Sequence, residues 1–236
     1  MVDLYNMDCM EAMKEMEDNQ FDLAIVDPPY FAGPNKSGYY GKGYSNLGIK
    51  RSKHYNDIKS WQLPNEKYFK LLKRVSKNQI IWGANHFADK FNSSGSCWLV
   101  WDKENGSSSF ADCELAYTSF STAVRVFRYV WNGMHQGSYG GDMRKNETRI
   151  HPTQKPTSLY KWILQNYAST GDKILDTHLG SGSNAIACYD MGFDLTAFEI
   201  DESSFLAARN WLQNHQGQGD LFTGVNLTEK QQELKI

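Results

Sequence analysis

The run Leu23-Ala24-Ile25-Val26 is short, apolar and rich in β-branched residues, and Asp27-Pro28-Pro29-Tyr30 stops it at once. Such a run fits a strand buried on both faces, as in a parallel sheet covered by helices. Proline has no amide hydrogen to give to a sheet ladder, so the strand ends at Asp27. An open α/β sheet is the frame that satisfies both facts, and ligands bind such sheets outside the carboxyl ends of the strands. The paired rings fix φ and remove two donors, leaving a stiff turn rich in acceptors. An ionised Asp27 and the Pro28 carbonyl stand side by side as acceptors and match the two N–H donors of an exocyclic amine. Tyr30 adds a flat face on which a base can stack. The turn therefore suits an amino-bearing nucleobase taken out of its helix. Read alone, Asp-Pro-Pro is an ordinary strand-ending turn; the buried strand before it and the aromatic after it favour the ligand reading.

A second strand-to-helix passage lies late in the chain. Lys173 to Asp176 reads as a strand, Thr177 to Gly182 as a glycine turn, and Ser183 to Met191 as a helix. Gly180 and Gly182 let backbone pass close to a ligand. The next strand, Asp194 to Phe198, ends at Glu199, about 20 residues beyond the glycines, where an acid that binds ribose hydroxyls belongs. A dinucleotide fingerprint would need a third glycine, and Ala185 stands there.

Between these passages the pattern alternates. Val2 to Tyr5 reads as a strand, and Asp8 sits where it becomes a helix, as a cap. Cys9, Met10, Met13 and Met16 fall at helical spacing. Pro64 to Val75 is an amphipathic helix with Tyr68, Phe69, Leu71, Leu72 and Val75 inward. Asn78 to Gly83 reads as a turn and strand, and His86 or Asn85 beyond it either lines the pocket or is a satisfied loop residue, the second reading being favoured. Trp98 to Lys103 is a strand ending in charge. Glu114 to Phe120 and Ala123 to Trp131 read as a hairpin closing the sheet. The prolines of His151-Pro152-Thr153-Gln154-Lys155-Pro156 stiffen the approach to a helix carrying Leu159, Trp162, Ile163 and Tyr167. Its free N–H groups could hold a carboxylate. Asp201 to His215 is a helix with Phe205, Leu206, Ala208, Trp211 and Leu212 as its stripe. Residues 216–236 read as a loose polar tail.

At 236 residues the chain suits one domain, 1–215, followed by that tail. Its net charge of −2 and pI near 6.3 argue against nucleic-acid binding by bulk charge, so any such role needs local clusters. Residues 31–60 supply one. Lys36, Lys42, Lys50, Arg51, Lys53 and Lys59 oppose only Asp57, with Tyr39, Tyr40, Tyr44 and Tyr55 interleaved. A long basic, aromatic loop suits a backbone clamp, or else a solvated surface. Residues 132–150 carry Arg144, Lys145 and Arg149, and arginine is the commonest reader of guanine edges. The four cysteines and six histidines show no ligand spacing, so no metal site is expected, and reduced thiols suit the cytoplasm. No apolar run reaches the length of a membrane span.

Asp27-Pro28-Pro29-Tyr30 resembles the catalytic motif of the amino-methylating DNA methyltransferases, in the form typical of N6-adenine enzymes. His151 to Pro156 resembles that family's cofactor-binding segment. The order of catalytic motif, recognition segment and cofactor half resembles its β-type, circularly permuted members of bacteria and phage, over Asp3 to Leu212. The resemblance implies an α/β, Rossmann-like S-adenosylmethionine-dependent methyltransferase fold: a mixed seven-stranded sheet with an antiparallel edge hairpin. It implies methyl transfer from S-adenosylmethionine to the N6 amine of adenine in double-stranded DNA, as in restriction–modification, by a monomer or homodimer. Asp27, Pro28, Pro29 and Tyr30 would be catalytic. Asp8, Asp27, Thr153, Lys155, Asp176, Gly180, Ser181, Gly182 and Glu199 would bind cofactor, whose lack of a pyrophosphate suits the looser glycine turn. Lys36, Lys42, Arg51, Lys53, Arg144, Lys145 and Arg149 would bind DNA, with 132–150 as an unusually short recognition segment. Thr177 and His178 depart from the Pro-Phe usual in the family. N4-cytosine methylation, an RNA or protein amide substrate, and a non-catalytic DNA-binding module are the alternatives. Gln218 to Phe222 resembles the peptide by which bacterial replication proteins bind the sliding clamp, or else anchors the C-terminus.

Overall fold

Strand β2 (Phe21–Val26) sends successive side chains to opposite faces of a sheet, and both faces are covered. On one, Leu23 and Ile25 pack with Leu159 and Ile163 of α3 (Thr157–Tyr167) and with Ile186 of α4 (Ser183–Met191). On the other, Ala24 and Val26 pack with Met13 of α1 (Cys9–Glu15) and with Phe69 and Leu72 of α2 (Glu66–Val75). A strand in that position cannot afford polar residues on either side, which is why its run is unbroken. The computed structural model describes residues 1–30, 63–90, 95–106, 111–132, 135–137, 147 and 154–223, with backbone alone at 132, 135–136 and 218–223. The expectations placed on Lys36, Lys42, Arg51, Lys53, Arg144, Lys145, Arg149 and Thr153 fall outside these residues.

The remaining strands are β1 (Val2–Asn6), β3 (Ser76–Trp82), β4 (Trp98–Asp102), β5 (Cys113–Thr118), β6 (Arg125–Arg128), β9 (Lys173–Asp176) and β10 (Asp194–Glu199). With β2 they form one mixed eight-stranded sheet in the order β1-β10-β9-β2-β3-β5-β4-β6. Two short strands, β7 (Trp131–Asn132) and β8 (His135–Gln136), pair separately. β9 and β2 are adjacent and parallel, with Leu23 opposite Ile174 and Ala24 opposite Leu175. From that junction the chain winds outward in both directions, through β10 and β1 on one side and β3 on the other. This is a topological switch point, and the loops after β2 and β9 open on the same edge.

The α/β architecture is the one expected, with one more strand. The hairpin expected between Glu114 to Phe120 and Ala123 to Trp131 is corrected by the structure. β5 lies inside the sheet, antiparallel to β3 and β4, while β6 crosses to pair parallel with β4. Val124, just before β6, and Val126 on it are exposed, so apolar alternation there marked an edge and not a hairpin partner. β3 starts directly at the end of α2, with no intervening turn. The last helix, α5 (Glu202–Thr223), runs past the boundary expected at His215, so the backbone of 218–222 is helical rather than loose. The side chains of the clamp-like peptide Gln218 to Phe222 are outside the described set. On α5, Ala208 and Leu212 are buried, but Leu206 is 37% exposed and leaves the expected stripe. Among the described residues no helix is long and apolar enough to cross a membrane.

Leu72 is fully buried where α2 meets the sheet. Leu72→Ala is expected to cost about 2–5 kcal/mol in urea denaturation, from lost transfer energy plus a cavity. Leu206→Ala, on the exposed side of α5, should stay within about 0.5 kcal/mol of wild type in the same assay.

Candidate active site

β2 delivers Asp27 to the carboxyl edge of the sheet, and β5 delivers a second carboxylate there from the opposite direction. Because β5 runs antiparallel, its start lies at the edge where its neighbours end, so Glu114 sits opposite Trp101 at the close of β4. Lys155, in the approach to α3, comes between the two acids. Its ammonium lies 2.5 Å from Asp27 Oδ2 and 3.0 Å from Glu114 Oε2. Lys103, just past β4, reaches Glu114 Oε1 at 2.5 Å. The Lys155 side chain is only 2% exposed, and its ammonium also lies 5.5 Å from the centroid of the Trp82 ring.

Burial disfavours the Lys155 ammonium, but Asp27 and Glu114 outweigh it and hold its pKa well above the usual lysine range. Burial likewise works against the Glu114 carboxylate, yet Lys155 and Lys103 bring it down to about 2. Asp27 is pushed up by burial, against the pull of Lys155. Its Oδ2 is committed to Lys155, while its Oδ1 is buried and has no hydrogen-bond partner among the described residues. An unpaired buried acceptor costs stability unless something donates to it.

Tyr30 follows in the same turn. Its ring stacks on His86 at 4.8 Å between centroids and 3° between planes, and its hydroxyl donates to Glu114 Oε2 at 3.5 Å. Gly83, with φ +66°, makes this fit. A Cβ there would stand 2.3 Å from Tyr30 Cδ1. His86, read from sequence as a loop residue, thus backs one face of the ring expected to receive a base.

The second group of expected residues gathers at the ends of β1, β10 and β9. Asp8 Oδ1 accepts from the Met10 amide at 2.8 Å and caps α1. Glu199 takes the Gly180 amide on Oε2 and the Asp201 amide on Oε1, both at 2.9 Å. Each oxygen keeps a second lone pair. Gly180 and Gly182 have φ of +54° and +87°, and a Cβ on Gly182 would press to 3.1 Å from that of Ala208. Ser181 is buried, its hydroxyl 3.0 Å from that of Ser183. Asp176 accepts from the His178 amide and from Asn184 Nδ2, both at 3.0 Å. Thr177 Oγ1 lies 2.7 Å from the Tyr68 hydroxyl and 2.9 Å from His178 Nδ1. Burial lowers the His178 pKa to about 4, so the imidazole is neutral at pH 7.

In the segment before α3, Lys155, expected to bind cofactor, directs its ammonium to Asp27 and Glu114. The free N–H groups of α3 do hold a carboxylate, but it is the chain's own. Glu147 accepts from Thr157 N at 2.5 Å and Ser158 N at 2.9 Å. Sequence reasoning missed Glu114 and Lys103, and it named His86 as a pocket residue only as the less favoured reading. The signal for the first two was a charge at each end of the apolar strands β4 and β5, readable only once their pairing is known.

A sheet with this switch point, and acids at its carboxyl edge beside a glycine turn, is the fold of the DNA methyltransferases. It superposes on M1.HpyAVI in complex with S-adenosylmethionine with TM-score 0.56, at 18% identity over 90% of this chain and 100% of that one. The cytosine-N4-specific PvuII DNA methyltransferase gives TM-score 0.56 at 11% identity, over 88% and 85%. Residues 50–210 match the N6/N4 DNA methylase family, and the chain belongs to that family. Among its relatives is the type II methyltransferase M.HpaI of Haemophilus parainfluenzae, 25% identical over 240 residues, or 87% of this chain and 72% of the relative. The type II methyltransferase M2.MboI of Moraxella bovis is 24% identical over 218 residues, or 78% and 77%.

Burial raises the Asp176 pKa from 3.8 to about 7, against the hydrogen bonds from Asn184 and His178. Between those values the folded state binds the extra proton, so this group's contribution to stability falls as pH rises from about 4 to 7. Asp176→Asn cannot ionise. The stability of Asp176→Asn relative to wild type is therefore expected to improve across that window and level off above it, measured by urea denaturation at stepped pH. The slope is the readout, since the variant also loses one acceptor.

Proposed function

We propose that the chain transfers a methyl group from S-adenosylmethionine to the N6 amine of adenine in double-stranded DNA. The observation that carries this reading is the state of Asp27: one oxygen held by Lys155, the other buried without a donor. That second oxygen is an acceptor prepared for an N–H group that the described residues do not supply. The Pro28 carbonyl, next in the turn, provides the acceptor for the amine's second N–H. Holding both N–H groups orients the nitrogen lone pair away from the turn, and orientation of this kind is worth several powers of ten in rate.

The residues at the ends of β9 and β10 fit the cofactor. Glu199 keeps lone pairs for ribose hydroxyls, Asp8 follows the end of β1, and Gly180 and Gly182 put no Cβ in the way of a nucleoside. His178, kept neutral by burial, adds no positive charge at the end of β9. Bound there, S-adenosylmethionine supplies an electrophilic methyl. As the amine nitrogen took up that methyl in exchange for one of its protons, Asp27 Oδ1 would accept the proton and the Pro28 carbonyl would keep the nitrogen in place. No covalent enzyme intermediate is required. The basic residues Lys36, Lys42, Arg51 and Lys53 follow Tyr30 in the chain, and Arg144, Lys145 and Arg149 precede Lys155, so both sets adjoin residues of the site in sequence and would supply the contacts to DNA. The aspartate that opens Asp27-Pro28-Pro29-Tyr30 supports adenine over cytosine.

The test is transfer from labelled S-adenosylmethionine to unmodified DNA, followed by hydrolysis to nucleosides. Label in N6-methyladenine is expected. Label in N4-methylcytosine would replace the base assignment, and no label in DNA would overturn the reading. Asp27→Asn is expected to lower transfer by about 100-fold or more while cofactor binding by calorimetry persists.

A further inference from the structure

We propose that Glu114 and Lys103 are positioning residues for this reaction: together they set how much of the Lys155 charge Asp27 receives. The inference rests on the reading of Asp27 as the acceptor of the substrate amine. Lys103, Glu114, Lys155 and Asp27 form a line of alternating charge, with contacts of 2.5, 3.0 and 2.5 Å. Lys155 is shared, Asp27 Oδ2 on one side and Glu114 Oε2 on the other. Glu114 is shared in turn, giving its other oxygen to Lys103. Two carboxylates and two ammonium groups balance, so the cluster is neutral although largely out of water.

The consequence is a contest at each link. Glu114 draws Lys155 away from Asp27, and Lys103 draws Glu114 away from Lys155. Removing Glu114 leaves Lys155 wholly to Asp27 and takes away a repelling negative charge, so Asp27 holds its proton less tightly. Removing Lys103 turns Glu114 fully onto Lys155 and takes away an attracting positive charge, so Asp27 holds its proton more tightly. Among the described residues, the other groups that face Asp27 are Tyr30 in its own turn, Tyr68 on α2, Tyr160 on α3 and Asp176 at the end of β9. Burial keeps the three tyrosines neutral. Asp176 titrates near pH 7, but it is common to every variant. An ordinary structural salt bridge would predict loss of stability for both substitutions and no opposed effect on Asp27.

Two measurements on the full chain test this. The first follows the Asp27 carboxyl by carbon NMR with pH, assigned by its absence in Asp27→Asn; it needs no activity. The second follows kcat for methyl transfer against pH. In both, Glu114→Gln is expected to move the acid limb down by about one pH unit and Lys103→Met to move it up by a similar amount. The double variant should fall between them, and Lys103→Arg should restore the wild-type position. If either single variant fails to fold, the double variant and Lys103→Arg still carry the comparison. Unmoved limbs, or limbs that move the same way, would overturn the inference. Opposed NMR shifts in the two variants, with no methyl transfer by the wild-type protein, would uphold the coupling and sink the catalytic reading instead.

Discussion

A fully buried ammonium is tolerated only where carboxylates meet it, and Lys155 is met by two. That requirement ties together three parts of the chain that are far apart in sequence: the turn after β2, the start of β5 and the approach to α3. Removing one partner from such a cluster strands the others, at a cost of about 3–5 kcal/mol. The cluster is therefore both a structural clasp and the means by which one oxygen of Asp27 is occupied and the other left open.

The sheet makes this possible by reversing one strand. Seven of its eight strands run the same way and point their carboxyl ends at one edge; β5 alone runs back. A parallel strand in that place would have brought its far end, Thr118, to the edge. The reversed strand brings Glu114 instead. The parallel junction of β2 and β9 does the complementary job, setting the Asp27 turn beside the glycine turn that ends in α4.

Tyr30 shows how closely the two levels interlock. The aromatic after two prolines was legible as a stacking face, but one side of that face is already taken by His86. Gly83 must be glycine for the pair to form, because its φ is positive and the ring fills the space of a Cβ. Nothing in the local pattern around Gly83 announces this, since the ring it admits comes from 53 positions earlier in the chain. The same holds for Glu147, whose hydrogen bonds to the start of α3 use the N–H groups that sequence reasoning had left for a ligand.

What the sequence determined by itself is whatever depends on neighbours along the chain. β2 and its stop at Asp27, the cap at Asp8, the glycine turn with α4 behind it, and the acid at the end of β10 all follow from apolar runs, proline, glycine and capping side chains acting within a few residues. What only the tertiary structure decided is whatever depends on which strands lie side by side. The place of β5 inside the sheet, the partner of β6, the bond from Lys155 to Asp27, and the enlistment of Glu114, Lys103 and His86 belong to that class. Alternation along a strand shows which residues face the core but not which strand comes next, and a charge at a strand's end has no meaning until its neighbour is known.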